Sequence, residues 1–162
     1  MPSLRVLACL LPLAVLGLQC ASDPPASDPD AAPAFEDGRL AFITPSGDTL
    51  RTIALAIADT DAERRRGLMR QRSLSYDRGM LFIFEEVDST GMWMKNTPLP
   101  LDIVFVDADG RVLNIARRTT PFSETAIPPA APNKYAVEVR AGFADKFGLT
   151  DSTRIRWTRT DE

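Results

Sequence analysis

The chain is expected to fold as a mainly β (α+β) domain, a small antiparallel sheet curled on itself or closed into a barrel, with two short helices. Three observations lead there. Runs of strand length recur between turn-forming residues throughout residues 35–162. Two of these runs, around Ile53, Leu55 and Ile57 and around Tyr135, Val137 and Val139, repeat apolar residues with period two. Only two stretches carry helix signals, and both are short.

The elements follow in chain order. Arg5 gives a thin positive start, and Val6 to Leu18 form an apolar run broken by Pro12 and Gly17. That is the length of a signal-peptide core and short for a membrane span. Cys20 follows Leu16-Gly17-Leu18-Gln19 and resembles a bacterial lipoprotein signal, although Gln19 stands where Gly or Ala is usual. The alternative is an ordinary secretory signal. Residues 21–34 are only Ala, Ser, Asp and Pro, so they have little apolar surface to bury and suit an extended tether. Fourteen PPII-like residues span about 40 Å. Residues 1–20 are therefore read as a lipoprotein-like leader with Cys20 acylated, 21–34 as a tether and 35–162 as a single domain. The expected location is the bacterial envelope, lipid-anchored in the periplasm or at the outer membrane.

Within the domain, Leu40 to Thr44 read as a strand that Pro45-Ser46-Gly47-Asp48 turns back. The Ile53–Ile57 strand follows. Thr60-Asp61-Ala62-Glu63 is a capping box that opens a short helix, which Gly67 ends. Met80–Phe84 and Leu101–Val106 are apolar strands, the second closed by the turn Asp107-Ala108-Asp109-Gly110, with Val112–Ala116 returning antiparallel. The Tyr135–Val139 strand precedes a helix over Ala141–Phe147 with Gly148 behind it, and Thr153–Thr158 form the last strand. The one long irregular stretch, Thr119 to Asn133, carries Pro121, Pro128, Pro129 and Pro132.

Composition narrows the chemistry. The 162 residues are 44% apolar and 25% charged with net charge -3, the balance of a globular chain with no general attraction to nucleic acid. There is no His, and the cysteines are Cys9 and Cys20. The folded part therefore has no disulfide, no Cys or His zinc site and no Cys nucleophile. No phosphate-binding Gly loop and no Ser-based catalytic motif occurs.

The most informative stretch is Gly91-Met92-Trp93-Met94-Lys95-Asn96-Thr97-Pro98, which runs directly into the Leu101 strand. It combines Trp and Met, absent from ordinary loops, with the Lys-Asn-Thr set absent from ordinary core strands. Together with Gly67-Leu68-Met69-Arg70, Gly79-Met80-Leu81-Phe82, Leu101-Asp102-Ile103 and Val137-Glu138-Val139 before Ala141-Gly142, it resembles the DUF192 family, a domain of unknown function. The resemblance keeps the motif order over nearly all of residues 40–158. Leu149-Thr150-Asp151-Ser152 departs from the Gly-Asp that family members often carry near the end. The resemblance implies a small, mainly β domain, common among exported proteins, and no established reaction.

The candidate ligand-binding residues are Arg70, Trp93, Lys95, Asn96, Thr97, Asp102 and Glu138. Trp93 offers stacking area, Lys95 charge, and Asn96 and Thr97 orienting hydrogen bonds. Lys95 could pair with Asp102 or Glu138, or with a ligand carboxylate or phosphate. Asn96 and Thr97 before Pro98 could equally organise a turn, and a buried Lys–Asp bridge could simply pin the register. The expected function is a membrane-tethered, non-catalytic envelope binding or accessory domain without a cofactor. Its partners would be the lipid bilayer through Cys20 and a small anionic or sugar-like ligand or an envelope protein. The alternatives are a hydrolase or transferase using Lys95 with Asp102 or Glu138, a purely structural envelope protein, and Cu(I) held by Met thioethers.

Overall fold

Each run expected as a strand from its apolar residues and flanking turns forms one. The computed structural model describes residues 32–89 and 91–160. The chain divides into Met1–Ala31 and Ala32–Glu162; the leader, Cys20 and the tether as far as residue 31 lie outside the described residues. Among the described residues the order is β1 Gly38–Ile43, β2 Thr49–Ala58, α1 Asp61–Arg66, β3 Arg78–Asp88, β4 Leu101–Val106, β5 Val112–Ala116, β6 Asn133–Arg140, α2 Phe143–Phe147 and β7 Arg154–Arg159. None of the described helices is long and apolar enough to cross a membrane.

The strands form one sheet in the order β5-β4-β6-β3-β2-β1-β7. Every pairing is antiparallel except β2 with β3, which run parallel from Ala54 opposite Arg78 to Ala58 opposite Phe82. Parallel neighbours need a crossover, and α1 supplies it. That helix starts on Thr60, whose hydroxyl accepts from the Glu63 amide while the Glu63 carboxylate accepts from Thr60 N–H, as the capping box requires. It ends at Gly67, whose φ of 46° and ψ of -136° suit a residue without Cβ.

The sheet is curled and is not a closed barrel. The edge strands β5 and β7 meet at a single bridge, Arg111 with Arg154, flanked by Val112 N–H donating to Thr153 O and Ile155 N–H to Gly110 O. Residues from all seven strands and α2 pack in one apolar cluster, including Phe42, Leu55, Leu81, Val104, Val137 and Phe143, which is the concave core. A second cluster covers the opposite face of the central strands with Met80, Phe82, Ile103, Phe105 and Ala136, under Leu68, Leu74, Met92 and Met94 from the loops. For this reason β4 is buried along its whole length.

The covering loops are tied to one another. Met92 bridges to Ile127, Met94 N–H donates to Ser123 O, Phe122 N–H to Thr97 O, and Arg70 N–H to Asn96 O. The long irregular segment before β6 is thereby stitched onto the Trp-Met-Lys-Asn-Thr stretch. Backbone bonds between loops hold this covering layer together.

Candidate functional site

Glu138 is the unusual residue of this layer. Its neighbours across the sheet, Met80 on β3 and Ile103 on β4, both belong to the second apolar cluster. A carboxyl thus stands where an apolar side chain would fit, and the residue is only 4% exposed. The Leu68 amide donates to it, yet Oε2 has no hydrogen-bond partner. Burial disfavours the charged form and pushes its pKa up to about 8, the Leu68 bond offsetting part of this. At neutral pH the group is mostly a neutral acid with a hydroxyl to donate.

That acid faces a crevice of about 20 Å³, lined also by Gly67, Phe82, Trp93, Lys95 and Thr97. This is room for one water-sized group. A Cβ on Gly67 would approach Phe82 Cζ to 3.1 Å and Glu138 Oε2 to 3.8 Å, so glycine keeps the crevice open. An adjoining groove of about 570 Å³ shares Phe82, Met92, Trp93, Arg64 and Arg65 with it and adds Phe84, Asp61, Glu85 and Glu86. Trp93 is 44% exposed while Met92 and Met94 on either side of it are buried.

Charges around the groove are largely compensated. Arg64 lies 2.6 Å from Asp61 and 3.3 Å from Glu85 and also donates to Ile83 O, fastening α1 to β3. Asp61 is held below the usual carboxylate range by its hydrogen bond with Arg64. Of the partners open to it, Lys95 takes neither Asp102 nor Glu138. Its Nζ is 3.5 Å from Glu124 Oε2 and 5.1 Å from the centre of the Trp93 ring.

Asp102 has a different task. It is fully buried, its Oδ1 accepts from the amides of Arg118 and Gly142, and its Oδ2 accepts from Ala144 N–H. It thereby caps α2, whose own N-cap, Gly142, has no side chain to do so. Thr97 is buried, donates its hydroxyl to Lys95 O and organises the turn, while still lining the crevice. Arg70 and Asn96 sit elsewhere, in a separate pocket with Arg72, Pro98 and Phe122. The seven expected residues thus divide: Trp93, Lys95, Thr97 and Glu138 meet, Arg70 and Asn96 meet apart from them, and Asp102 supports the scaffold.

Three of the domain's four thioethers belong to packing, while Met69 lines the crevice. Met80, Met92 and Met94 lie in the second cluster, and the Thr119 hydroxyl is 3.2 Å from Met94 Sδ. Among the described residues, no group of three or more Asp, Glu, His or Cys side chains could hold a metal. Sequence reasoning missed Phe82, Phe84, Arg65 and the Glu85-Glu86 pair as groove residues. On β3 the one signal was the apolar run Met80–Phe84, which cannot reveal which loops leave it uncovered, and for Arg65 it was only a capped helix.

These features define a small curled-sheet domain with a loop-built crevice on its convex face. The chain belongs to the DUF192 family, described as Uncharacterized ACR, which it matches over residues 42–157. No curated protein matches it. A solved structure from Sinorhizobium meliloti 1021, of a protein provisionally described as a transcription regulator, is similar with 35% identity and a TM-score of 0.73, over 79% of this chain and 97% of that one. A second, of a protein of unknown function from Novosphingobium aromaticivorans DSM 12444, is similar with 32% identity and a TM-score of 0.71, over 84% of this chain and 100% of that one.

Proposed function

We propose that the protein is a non-catalytic binding domain of the bacterial envelope, tethered to a membrane through acylated Cys20, and that its groove takes a neutral, sugar-like molecule. The observation that carries the reading is the buried Glu138 carboxyl with an unpartnered oxygen, in a crevice that adjoins a groove walled by exposed Trp93. An exposed indole offers a flat apolar face to a sugar ring. Asp61, Glu85 and Glu86 offer acceptors to hydroxyl groups, and neutral Glu138 offers a donor to one ligand oxygen. Pairing of Arg64 with Asp61 and Glu85, and of Lys95 with Glu124, leaves little net charge to attract an anion and favours the uncharged ligand.

Catalysis by Lys95 with Asp102 has less in its favour, because Asp102 is spent on three backbone amides. The family as described carries no activity to transfer. The reading is tested by titrating the full chain with a panel of neutral saccharides and following thermal unfolding. A ligand at 100 times its Kd stabilises the fold by about 2.7 kcal/mol. The expected result is a stabilising saccharide whose effect is lost in Trp93→Ala and reduced in Glu138→Met, which fills the same space without a donor. No stabilisation by any saccharide, or a shift that both variants retain, overturns it. The tether is tested separately: Cys20→Ser is expected to move the chain from the membrane fraction to the soluble one, and unchanged fractionation removes the lipid anchor from the proposal.

A further inference from the structure

A second pocket lies where the loops after α1, before β4 and after β5 meet. Arg70, Arg72, Asn96, Pro98 and Phe122 line about 410 Å³, and none of them lines the Trp93 groove or the Glu138 crevice. Three of the five hold positive φ angles, Arg70 at 63°, Asn96 at 54° and Phe122 at 61°. Asn tolerates that region, whereas Arg and above all Phe are disfavoured there. Cross-loop bonds enforce the conformation: Arg70 N–H donates to Asn96 O at 2.8 Å and Phe122 N–H to Thr97 O at 3.1 Å. Strain gathered at one cavity is a mark of a site arranged in advance for a ligand. The fold also holds the Phe122 ring out in solvent, 63% exposed, beside two guanidinium side chains.

The chemistry of these side chains selects an occupant. Guanidinium groups bind oxyanions through paired N–H donors, and two of them match the charge and multiple oxygens of a phosphate better than a single carboxylate. The Asn96 amide can add a donor, and the aromatic ring offers an apolar surface beside the anion. We propose that this pocket binds a phosphate joined to an apolar group, with Arg70 and Arg72 on the phosphate and Phe122 against the apolar part. Such a group is presented both by soluble organic phosphates and by the headgroups of anionic phospholipids. This site goes beyond the saccharide reading and stands without it.

The test uses the full chain in two arms. Calorimetry compares phenyl phosphate, inorganic phosphate and benzoate; co-sedimentation compares phosphatidylglycerol with phosphatidylcholine vesicles. The expected result is a preference of about tenfold for phenyl phosphate over the other two small anions, which identifies a soluble ligand, or for phosphatidylglycerol, which identifies a headgroup. In the arm that responds, Arg72→Gln weakens binding about tenfold. Phe122→Gly, which relieves the backbone while removing the ring, abolishes the preference for the apolar group or lowers vesicle binding. Arg156→Gln makes the same charge change at an exposed site on β7 and should have no effect. The proposal is overturned if a natively folded chain binds neither probe, or if inorganic phosphate or benzoate binds as tightly as phenyl phosphate without any response to vesicles. It is equally overturned if Arg72→Gln changes nothing, or if Arg156→Gln weakens binding as much.

Discussion

Asp102 and Glu138 are both buried carboxyls on central strands, and their hydrogen bonds separate their roles. Asp102 accepts from three backbone amides, so both of its oxygens are satisfied by the protein itself. Glu138 has an oxygen with no partner and an upward-shifted pKa. The first arrangement is that of a scaffold, and the second leaves a donor to offer. Asp102→Ala is therefore expected to lower the unfolding free energy by about 2–4 kcal/mol, since it strands buried amides at the start of α2 and at Arg118. Asp102→Asn, which keeps one acceptor oxygen, should lose less. Urea denaturation of the two variants checks this, and a loss below about 0.5 kcal/mol for the Ala variant contradicts the capping role.

At the scale of elements, β6 shows what the sequence could and could not reveal. The period-two pattern placed Val137 and Val139 on one face and Glu138 on the other, as observed. It also read that other face as available to Lys95, because burial there comes from residues 67–74 and 91–101, far away in sequence. The parallel pairing of β2 with β3 escaped for a related reason: alternation reports which face is buried and says nothing of a strand's neighbour. Local signals fared better, as with the Thr60 capping box, the Asp107–Gly110 turn and the glycine ending each helix. The motif could be singled out in the sequence, but the three-way division of the residues around it depended on how three loops bond to one another.

Burial of Glu138 has a consequence for pH. In the unfolded chain the group titrates near 4.5, and in the folded chain near 8. Across that window the folded state holds a proton that the unfolded state has released, so stability falls as pH rises. The contribution is fully present below 4.5 and gone once the pH has passed 8. Glu138→Gln imitates the neutral acid at every pH and should remove this slope. Unfolding free energies of the two proteins, measured from pH 5 to 8.5, are expected to diverge steadily in favour of the Gln variant. Parallel curves would mean that Glu138 is ionised in the folded protein at neutral pH, and would remove the hydrogen-bond donor from the saccharide reading.

For the whole molecule, the decisive feature is that the sheet curls until its edges touch without joining along their length. The concave core draws on every strand, so curvature is set by packing, while the seam between β5 and β7 rests on the Arg111–Arg154 bridge and the bonds beside it. Gly110 is the pivot of that seam. Its φ is 78°, and a Cβ there would come within 2.8 Å of Ile155 O, in a turn that Asp107 fixes by accepting from the amides of Asp109 and Arg111. Gly110→Ala must therefore push β7 away from β5 or distort the turn, and either outcome weakens the Ile155 to Gly110 bond. Hydrogen exchange locates the damage: the amides of Val112 and Ile155 should lose about tenfold in protection, roughly 1.4 kcal/mol, while those pairing β6 with β3 and β4 keep theirs. The convex face that carries the Trp93 groove lies on those central strands and should be left intact. If protection falls equally on all strands, the seam opens only with global unfolding, and the domain behaves as one closed cooperative unit despite its incomplete ladder.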